Sequence, residues 1–209
     1  LLVVGGIAIG LFLAEGASRL LMPDWRDFYS GRFMISAHIP GFGFTTVGRP
    51  GFDGYFAQNN GDFRARIRVN DFGLRNLEPV VTAKDRVWFV GDSMTFGWGV
   101  ERNEIYSAVA GRLGKFPTYN VASPGTDVCG YQALIGRMPS EIRPSAVVVG
   151  VVLENDVWRY DCLNKARREA QEFTDGGNMA TAGGKNEIDA SFGGIKRFLI
   201  HRSALYNVA

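Results

Sequence analysis

The sequence predicts an α/β fold in which a parallel sheet carries helices on both faces. Three short apolar segments, residues 86–90, 119–122 and 146–153, predict strands. Residues 103–113 and 127–138 are compatible with helices and lie between those strands. An order of strand, helix, strand, helix, strand favours parallel pairing. The nearly continuous apolar run at 146–153 is typical of a parallel strand that is covered on both faces.

Composition limits the class of protein. The 209 residues suffice for one ordinary domain with a short appendage, and 46% hydrophobic with 21% charged residues excludes wholesale disorder or coiled coil. A formal net charge of +2 without a long basic run argues against nucleic-acid binding. The only histidines and cysteines are His38, His201, Cys129 and Cys162, which form no metal-binding motif. We therefore predict neither metal nor cofactor, and favour two unpaired cysteines while leaving their pairing open.

Residues 1–22 predict a membrane anchor and its helical continuation, which Pro23 ends. The first 14 residues, LLVVGGIAIGLFLA, carry no charge, and Glu15 and Arg19 mark the exit into water. Fourteen residues are fewer than the ~20 that cross a bilayer, so we expect the span to continue upstream. The core of a signal peptide and a buried helix of a soluble protein are the alternatives.

Residues 23–84 differ in composition and predict a small β-rich lead-in. They are rich in glycine and aromatic residues, and the segment 63–69 alternates apolar residues with arginine. Such alternation predicts a strand with one face in water. We expect the arginines on the wet face, and a ligand-facing stripe is the alternative. The remainder, residues 85–209, is expected to form the α/β domain.

Polar clusters follow all three predicted strands. They are GDSMTFG at 91–97, NVASPG at 120–125 and END at 154–156. Because ligands of open parallel sheets bind at the carboxyl ends of the strands, we expect these clusters to share one edge. Their chemistry is complementary, since Ser93 offers a hydroxyl and Gly125 and Asn155 offer N–H donors. A nucleophile with preorganised donors is what acyl transfer requires.

The three blocks, in this order, resemble the signature blocks of the SGNH/GDSL hydrolases over roughly residues 70–160. The resemblance implies a three-layer, flavodoxin-like α/β/α fold and a Ser93 nucleophile. It also implies an oxyanion hole made by the N–H of Ser93 with Gly125 and Asn155. Residues expected to support the site are Asp92, which holds the turn, Asn120, which braces it, and Asp156. The simpler interpretation is that Ser93 only caps the following helix.

The segments Val69–Arg75 and His201–Tyr206 resemble the membrane-anchored bacterial branch of that family. That branch acts mostly outside the cytoplasm, so the resemblance implies an extracytoplasmic domain that is anchored through residues 1–14 in the bilayer. It also suggests the substrate, a small acyl ester such as an acetyl group on an envelope glycan.

Two features depart from the family pattern. Glu154 stands where a glycine usually precedes the asparagine, and no Asp-x-x-His block supplies a catalytic base. We expect that block beyond Ala209, which would make the sequence an inactive fragment; a non-catalytic member, or recruitment of His201 or His38, are the alternatives. The functions left open are a serine esterase, an O-acetyltransferase that uses the same site, and a non-catalytic envelope binding protein.

Overall fold

The computed structural model describes residues 2–58, 61–153, 161, 162, 164, 194, 196, 198–200 and 202–208. The chain forms two compact units. The first comprises Leu1–Ser30, Phe56–Arg64 and Ala180–Ala209, and the second comprises Gly31–Tyr55 and Ala65–Met179. In chain order the regular elements are α1 (Leu2–Leu21), β1 (Met34–Ile39), β2 (Gly43–Gly48), β3 (Asp53–Ala57), β4 (Arg64–Arg68), β5 (Val87–Gly91), α2 (Ser93–Phe96), α3 (Tyr106–Gly114), β6 (Thr118–Asn120), α4 (Val128–Arg137), β7 (Ala146–Gly150) and α5 (Ala204–Val208).

In the first unit, α1 is long and apolar enough to cross a membrane. Its 20 residues extend about 30 Å, and none of them is buried. Near its end, the carboxylate of Glu15 accepts hydrogen bonds from the Ser203 hydroxyl at 2.7 Å and from the N–H groups of Ala204 at 2.8 Å and Leu205 at 3.1 Å. Arg19 donates to the same carboxylate at 2.7 Å. Glu15 therefore caps the first turn of α5.

Strands β1 to β4 lie between residues 34 and 68 and form two separate two-stranded sheets. The β1–β2 pair is antiparallel, with Ser36 opposite Thr46 and His38 opposite Phe44. In β4 the arginines alternate with buried apolar residues, as the sequence predicts for a strand with one wet face. Two of these arginines, Arg66 and Arg68, pair with the Asp53 carboxylate, and Arg66 lowers the pKa of that carboxyl.

The second unit is built on a three-stranded parallel sheet in the order β6-β5-β7. The sequence predicted a mixed α/β fold with a parallel sheet, and that is confirmed. The strands lie within three residues of their predicted limits. Helix α3 packs on β6, and α4 packs on β5 and on β2. The buried core joins the sheet to these elements; its largest members include Trp88, Tyr119, Tyr131 and Leu134.

The prediction that the third apolar run is covered on both faces is wrong for the described residues. Strand β7 ends at Gly150, and Val147, Val148 and Val149 are 43%, 40% and 49% exposed. Because successive side chains of a strand point to opposite faces, both faces of β7 are open. Among the described elements, helices α3 and α4 pack on β6 and β5, whereas β7 lies at the edge of the sheet beside β5.

The favoured interpretation of the cysteines as unpaired is also wrong. Cys129 and Cys162 form a disulfide with a Cα–Cα distance of 5.2 Å. The bond closes a separation of 33 residues, so the sequence could not give the distance that decides it.

Candidate active site

The turn between β5 and α2 carries the predicted nucleophile. Asp92 is buried and is the N-cap residue of α2, since its Oδ1 accepts a hydrogen bond from the Met94 N–H at 2.9 Å. Ser93 is the first residue of the helix, so it is not the cap. Its side chain is partly exposed, and its hydroxyl donates to Asp92 Oδ2 at 3.5 Å, the limit of a hydrogen bond. The Ser93 oxygen therefore remains accessible at the carboxyl end of β5.

The ends of all three parallel strands meet at one residue, Thr95. A Cβ atom on Gly91 or on Gly150 would lie 2.0 Å or 2.3 Å from Thr95 Oγ1, so only glycine fits at the ends of β5 and β7. From β6, the Asn120 amide donates to the Thr95 carbonyl at 2.8 Å. The Tyr106 hydroxyl donates to Thr95 Oγ1 at 2.8 Å, and burial raises the pKa of that phenol, which keeps it a donor. The one-turn helix that begins at the serine is thus fixed by every strand of the sheet.

Asn120 is itself held by Asn76. The Asn76 amide donates to the Asn120 carbonyl at 2.8 Å, and the Asn120 N–H donates to Asn76 Oδ1 at 3.1 Å. The side-chain oxygen of Asn120 accepts the Ala122 N–H at 3.0 Å. Both asparagines are buried, so these hydrogen bonds satisfy polar groups that are shielded from water. These contacts make Asn120 a positioning residue for the turn.

The second polar block lies beside the first. The Gly91 carbonyl accepts hydrogen bonds from the Ser123 N–H at 3.1 Å and from the Thr126 hydroxyl at 3.3 Å. Gly125 lies between these two residues, is exposed, and has a φ of +71°, a backbone conformation that favours glycine. The loop that contains Gly125 is therefore tied to the residue two positions before Ser93.

A buried arginine fixes the chain beyond α2. Arg75 is 2% exposed, and its guanidinium donates to the carbonyl oxygens of Gly97 and Val100, the latter at 2.7 Å. It also lies over the Phe96 ring, 5.2 Å from the ring centre. Burial lowers the pKa of Arg75 to about 10, so the side chain is still a cation at neutral pH. Its fork of donors matches several carbonyl groups at once, which a lysine would not do.

A cleft of about 130 Å³ opens next to Gly125. It lies between the β1–β2 hairpin and the first turns of α4, and its wall carries both hydroxyl-bearing and aromatic side chains. Ser93 does not line this cleft. His38 is exposed on β1 and its ring contacts Phe44, which does line the cleft, at 5.1 Å between ring centres.

Of the predicted site residues, Asp92, Ser93, Asn120 and Gly125 lie around the end of β5. Asn155, Asp156 and the neighbouring Glu154 lie outside the described residues, as does His201. The described residues contain no group of three or more His, Cys, Asp or Glu side chains that could hold a metal. The roles of Arg75 and Asn76 were not predicted from the sequence. The sequence feature that could have indicated these roles is the segment 69–76, where polar residues surround Phe72 and Leu74 ahead of a buried strand.

Comparison of the chain with models of protein families, with curated proteins and with solved structures gave no match.

Proposed function

We propose that the protein is a serine esterase that hydrolyses a small acyl ester, with Ser93 as the nucleophile. The observation that carries the proposal is the position of Ser93 in the sheet. Numbered along the chain within the parallel sheet, β5 is the first strand, β6 the second and β7 the third, so their order across the sheet is 2-1-3. The flavodoxin-like order, 2-1-3-4-5, begins in the same way. In that order ligands bind at the carboxyl end of the first strand, where the connections change direction. Ser93 follows that strand.

The same order supports the finer fold assignment, a three-layer flavodoxin-like sheet of the SGNH type. Helix α3 packs on β6 and helix α4 on β5, as crossover helices of parallel strands do. Gly91, Asn120 and Gly150 all contact Thr95, and each lies at the end of a different strand. These contacts support the expectation that the polar blocks lie at the same edge of the sheet.

In the proposed reaction, Ser93 Oγ attacks the ester carbonyl, the bond to the alcohol oxygen then breaks, and the alcohol leaves with the proton that a base has taken from Ser93. The negative charge on the tetrahedral intermediate accepts hydrogen bonds from the N–H groups of Ser93 and Gly125 and from the Asn155 side chain. Water releases the acyl group in the second half of the reaction. Hydrogen-bond donors that are already fixed in place do not have to reorient as the negative charge forms. The contacts of Thr95 and Asn120 hold the turn rigid in this way.

The Ser93 proton must pass to a base, which is a histidine in most serine hydrolases. Asp92 Oδ1 is occupied by the Met94 N–H, and we assign Asp92 to the turn and not to proton transfer. His38→Gln and His201→Gln decide whether either histidine of this sequence is the base. A fall in kcat of about a thousandfold or more would identify it, whereas unchanged kcat places the base elsewhere.

We propose that α1 anchors the protein and that the catalytic unit lies outside the cytoplasm. The length and composition of α1 support the anchor. The Cys129–Cys162 disulfide supports the compartment, because disulfides persist in oxidising environments and are rare in the cytosol.

The esterase proposal is tested with Ser93→Ala in the full-length, membrane-anchored protein, reconstituted in lipid nanodiscs, with p-nitrophenyl acetate as substrate. Ser140→Ala is the matched control, since Ser140 is an exposed serine in the turn after α4. We expect Ser93→Ala to abolish turnover and Ser140→Ala to retain it. Asn155→Ala should lower kcat by about 10²–10³ if Asn155 is an oxyanion donor. Turnover by Ser93→Ala above the uncatalysed rate would refute the proposal.

Transfer of the acyl group to a sugar hydroxyl, instead of water, is the second candidate. The hydroxyl-lined cleft beside Gly125 favours it, because an acceptor alcohol needs a binding site that water does not. Product analysis with and without an acceptor glycan separates the two reactions. A wild-type protein that turns over no ester but binds the glycan would instead be a non-catalytic envelope binding protein.

A further inference from the structure

The Cys129–Cys162 disulfide starts from a part of the second unit that is firmly fixed to the end of β5. Cys129 lies in the first turn of α4, and a Cβ atom on Gly130 would lie 2.8 Å from Thr126 Cβ, so this turn packs directly on the loop before it. That loop is bound to the Gly91 carbonyl through the Thr126 hydroxyl. Cys129 is therefore held in a fixed position relative to the end of β5.

The stretch of chain that follows β7 is fixed at its start. Gly150, the last residue of β7, is opposite Gly91 in the sheet, and its backbone lies directly against Thr95 Oγ1. Burial is weak immediately after it, since Val151 is 47% exposed and Leu153 is 78% exposed. Apolar packing therefore contributes little to holding the described residues after Gly150 in place.

The disulfide fixes the other end of this stretch. The Cα atom of Cys162 lies 5.2 Å from that of Cys129. Along the chain, Asn155 comes five positions after Gly150 and seven positions before Cys162. The third polar block is thus bounded on one side by a strand end that contacts Thr95, and on the other by a covalent bond to α4. Opening the disulfide leaves the block attached at one end only, which raises the number of conformations open to it.

The disulfide is accessible to thiol chemistry. Cys162 is partly exposed, and Cys129 lines the cleft beside Gly125. Exposed disulfides exchange with external thiols and disulfides more readily than buried structural ones. An external reagent therefore reaches Cys162 without unfolding of the parallel sheet.

We infer that formation of this disulfide switches the proposed esterase on, by holding the third polar block at the end of β5. The inference rests on the proposed function, in which Asn155 is an oxyanion donor, and adds the regulation of that site. In the switching step, the thiolate of one cysteine attacks the disulfide of an external oxidant and forms a mixed disulfide. The second cysteine then displaces the oxidant, which leaves as a dithiol that carries the two electrons and two protons. The reduced protein is inactive, so ester hydrolysis is confined to an oxidising compartment.

The test compares the oxidised and reduced forms of the full-length wild-type protein in nanodiscs, with p-nitrophenyl acetate as substrate. A water-soluble phosphine, removed under argon before the assay, opens the disulfide without adding a thiol that would itself cleave the ester. We expect kcat to fall about tenfold or more, toward the ~10²–10³ that loss of one oxyanion donor costs. KM should change less than about twofold and the far-UV circular dichroism should not change, and oxidised glutathione should restore kcat.

Two variants serve as controls. The double variant (Cys129→Ser with Cys162→Ser) should have the low kcat of the reduced wild type and should respond to neither reagent. Ser93→Ala, reduced in the same way, measures ester cleavage by the free thiols themselves. A reduced wild type that keeps its kcat, or that loses activity only as its circular dichroism is lost, would overturn the switch.

Hydrogen exchange gives a readout that does not need catalysis. On reduction, the amides of residues 151–161 should exchange about tenfold faster or more, while those of residues 86–126 keep their protection. Unchanged exchange at residues 151–161 overturns the inference even if Ser93 is the nucleophile. Absence of ester turnover in both redox forms would instead refute the esterase, and the exchange data then decide by themselves whether the disulfide positions this stretch.

Discussion

Strands β5 and β7 are adjacent in the sheet and similar in sequence, yet their surroundings differ. They read VWFVG and AVVVG and pair residue for residue, from Val87 opposite Ala146 to Gly91 opposite Gly150. The central residues of β5 are at most 4% exposed, whereas the valines of β7 are 40–49% exposed. An apolar run therefore predicts the strand, while its burial depends on neighbours that the run does not encode. The part of the chain that the structure describes covers β5 and leaves β7 open.

The disulfide constrains the segment that contains β7. The segment between Cys129 and Cys162 contains β7, and closing a loop of 33 residues lowers the entropy of the unfolded chain. Replacing both cysteines (Cys129→Ser with Cys162→Ser) should lower the free energy of unfolding by about 3–4 kcal/mol. Denaturant unfolding of the double variant, beside the wild type with and without a reductant, measures it.

A loss of less than about 1 kcal/mol would show that contacts other than the disulfide hold this segment. Reduction of the wild type should reproduce the loss, and reduction of the double variant should change nothing further.

The loop after α2 depends on a buried cation, and a matched pair of variants measures this. Arg75→Met leaves the carbonyl groups of Gly97 and Val100 without their donor and should cost about 2–3 kcal/mol. Arg66→Met is the control, because Arg66 is exposed and pairs with Asp53 at the surface, where such pairs contribute less than about 1 kcal/mol. Urea unfolding of both variants gives the comparison. Equal losses would contradict the assignment of Arg75 to the loop after α2.

Local sequence patterns predicted the three strands of the parallel sheet and strand β4. The three strands were found because each is a short apolar run that polar residues or glycine bound, and β4 because arginine alternates with apolar residues. The polar blocks at 91–97 and 120–125 were found because a parallel sheet brings the carboxyl ends of its strands together.

Features that depend on distant contacts could not be predicted. Arg75 binds carbonyl groups 22 and 25 positions away, and Asn76 binds Asn120, 44 positions away. In the sequence both read as polar residues of a loop, and only the fold shows that they are buried. The Cys129–Cys162 bond and the exposure of β7 could not be predicted for the same reason, because each depends on which residues lie nearby in space.

The same substitution in paired residues of the two strands gives the most direct comparison. Val90 of β5 and Val149 of β7 are opposite each other, and they are 0% and 49% exposed. Val90→Ala should cost about 2–3 kcal/mol, because it removes buried methyl groups and leaves a cavity. Val149→Ala should cost less than about 1 kcal/mol, since only the lower strand propensity of alanine and part of the burial are lost.

Denaturant unfolding of the two single variants under the same conditions measures this difference. Because the substitution is the same in both strands, the difference between the two losses reports how differently the two valines are packed and buried. A loss for Val149→Ala as large as that for Val90→Ala would mean that another surface covers β7 in solution. That result would restore the interpretation of the 146–153 run as a strand that is covered on both faces.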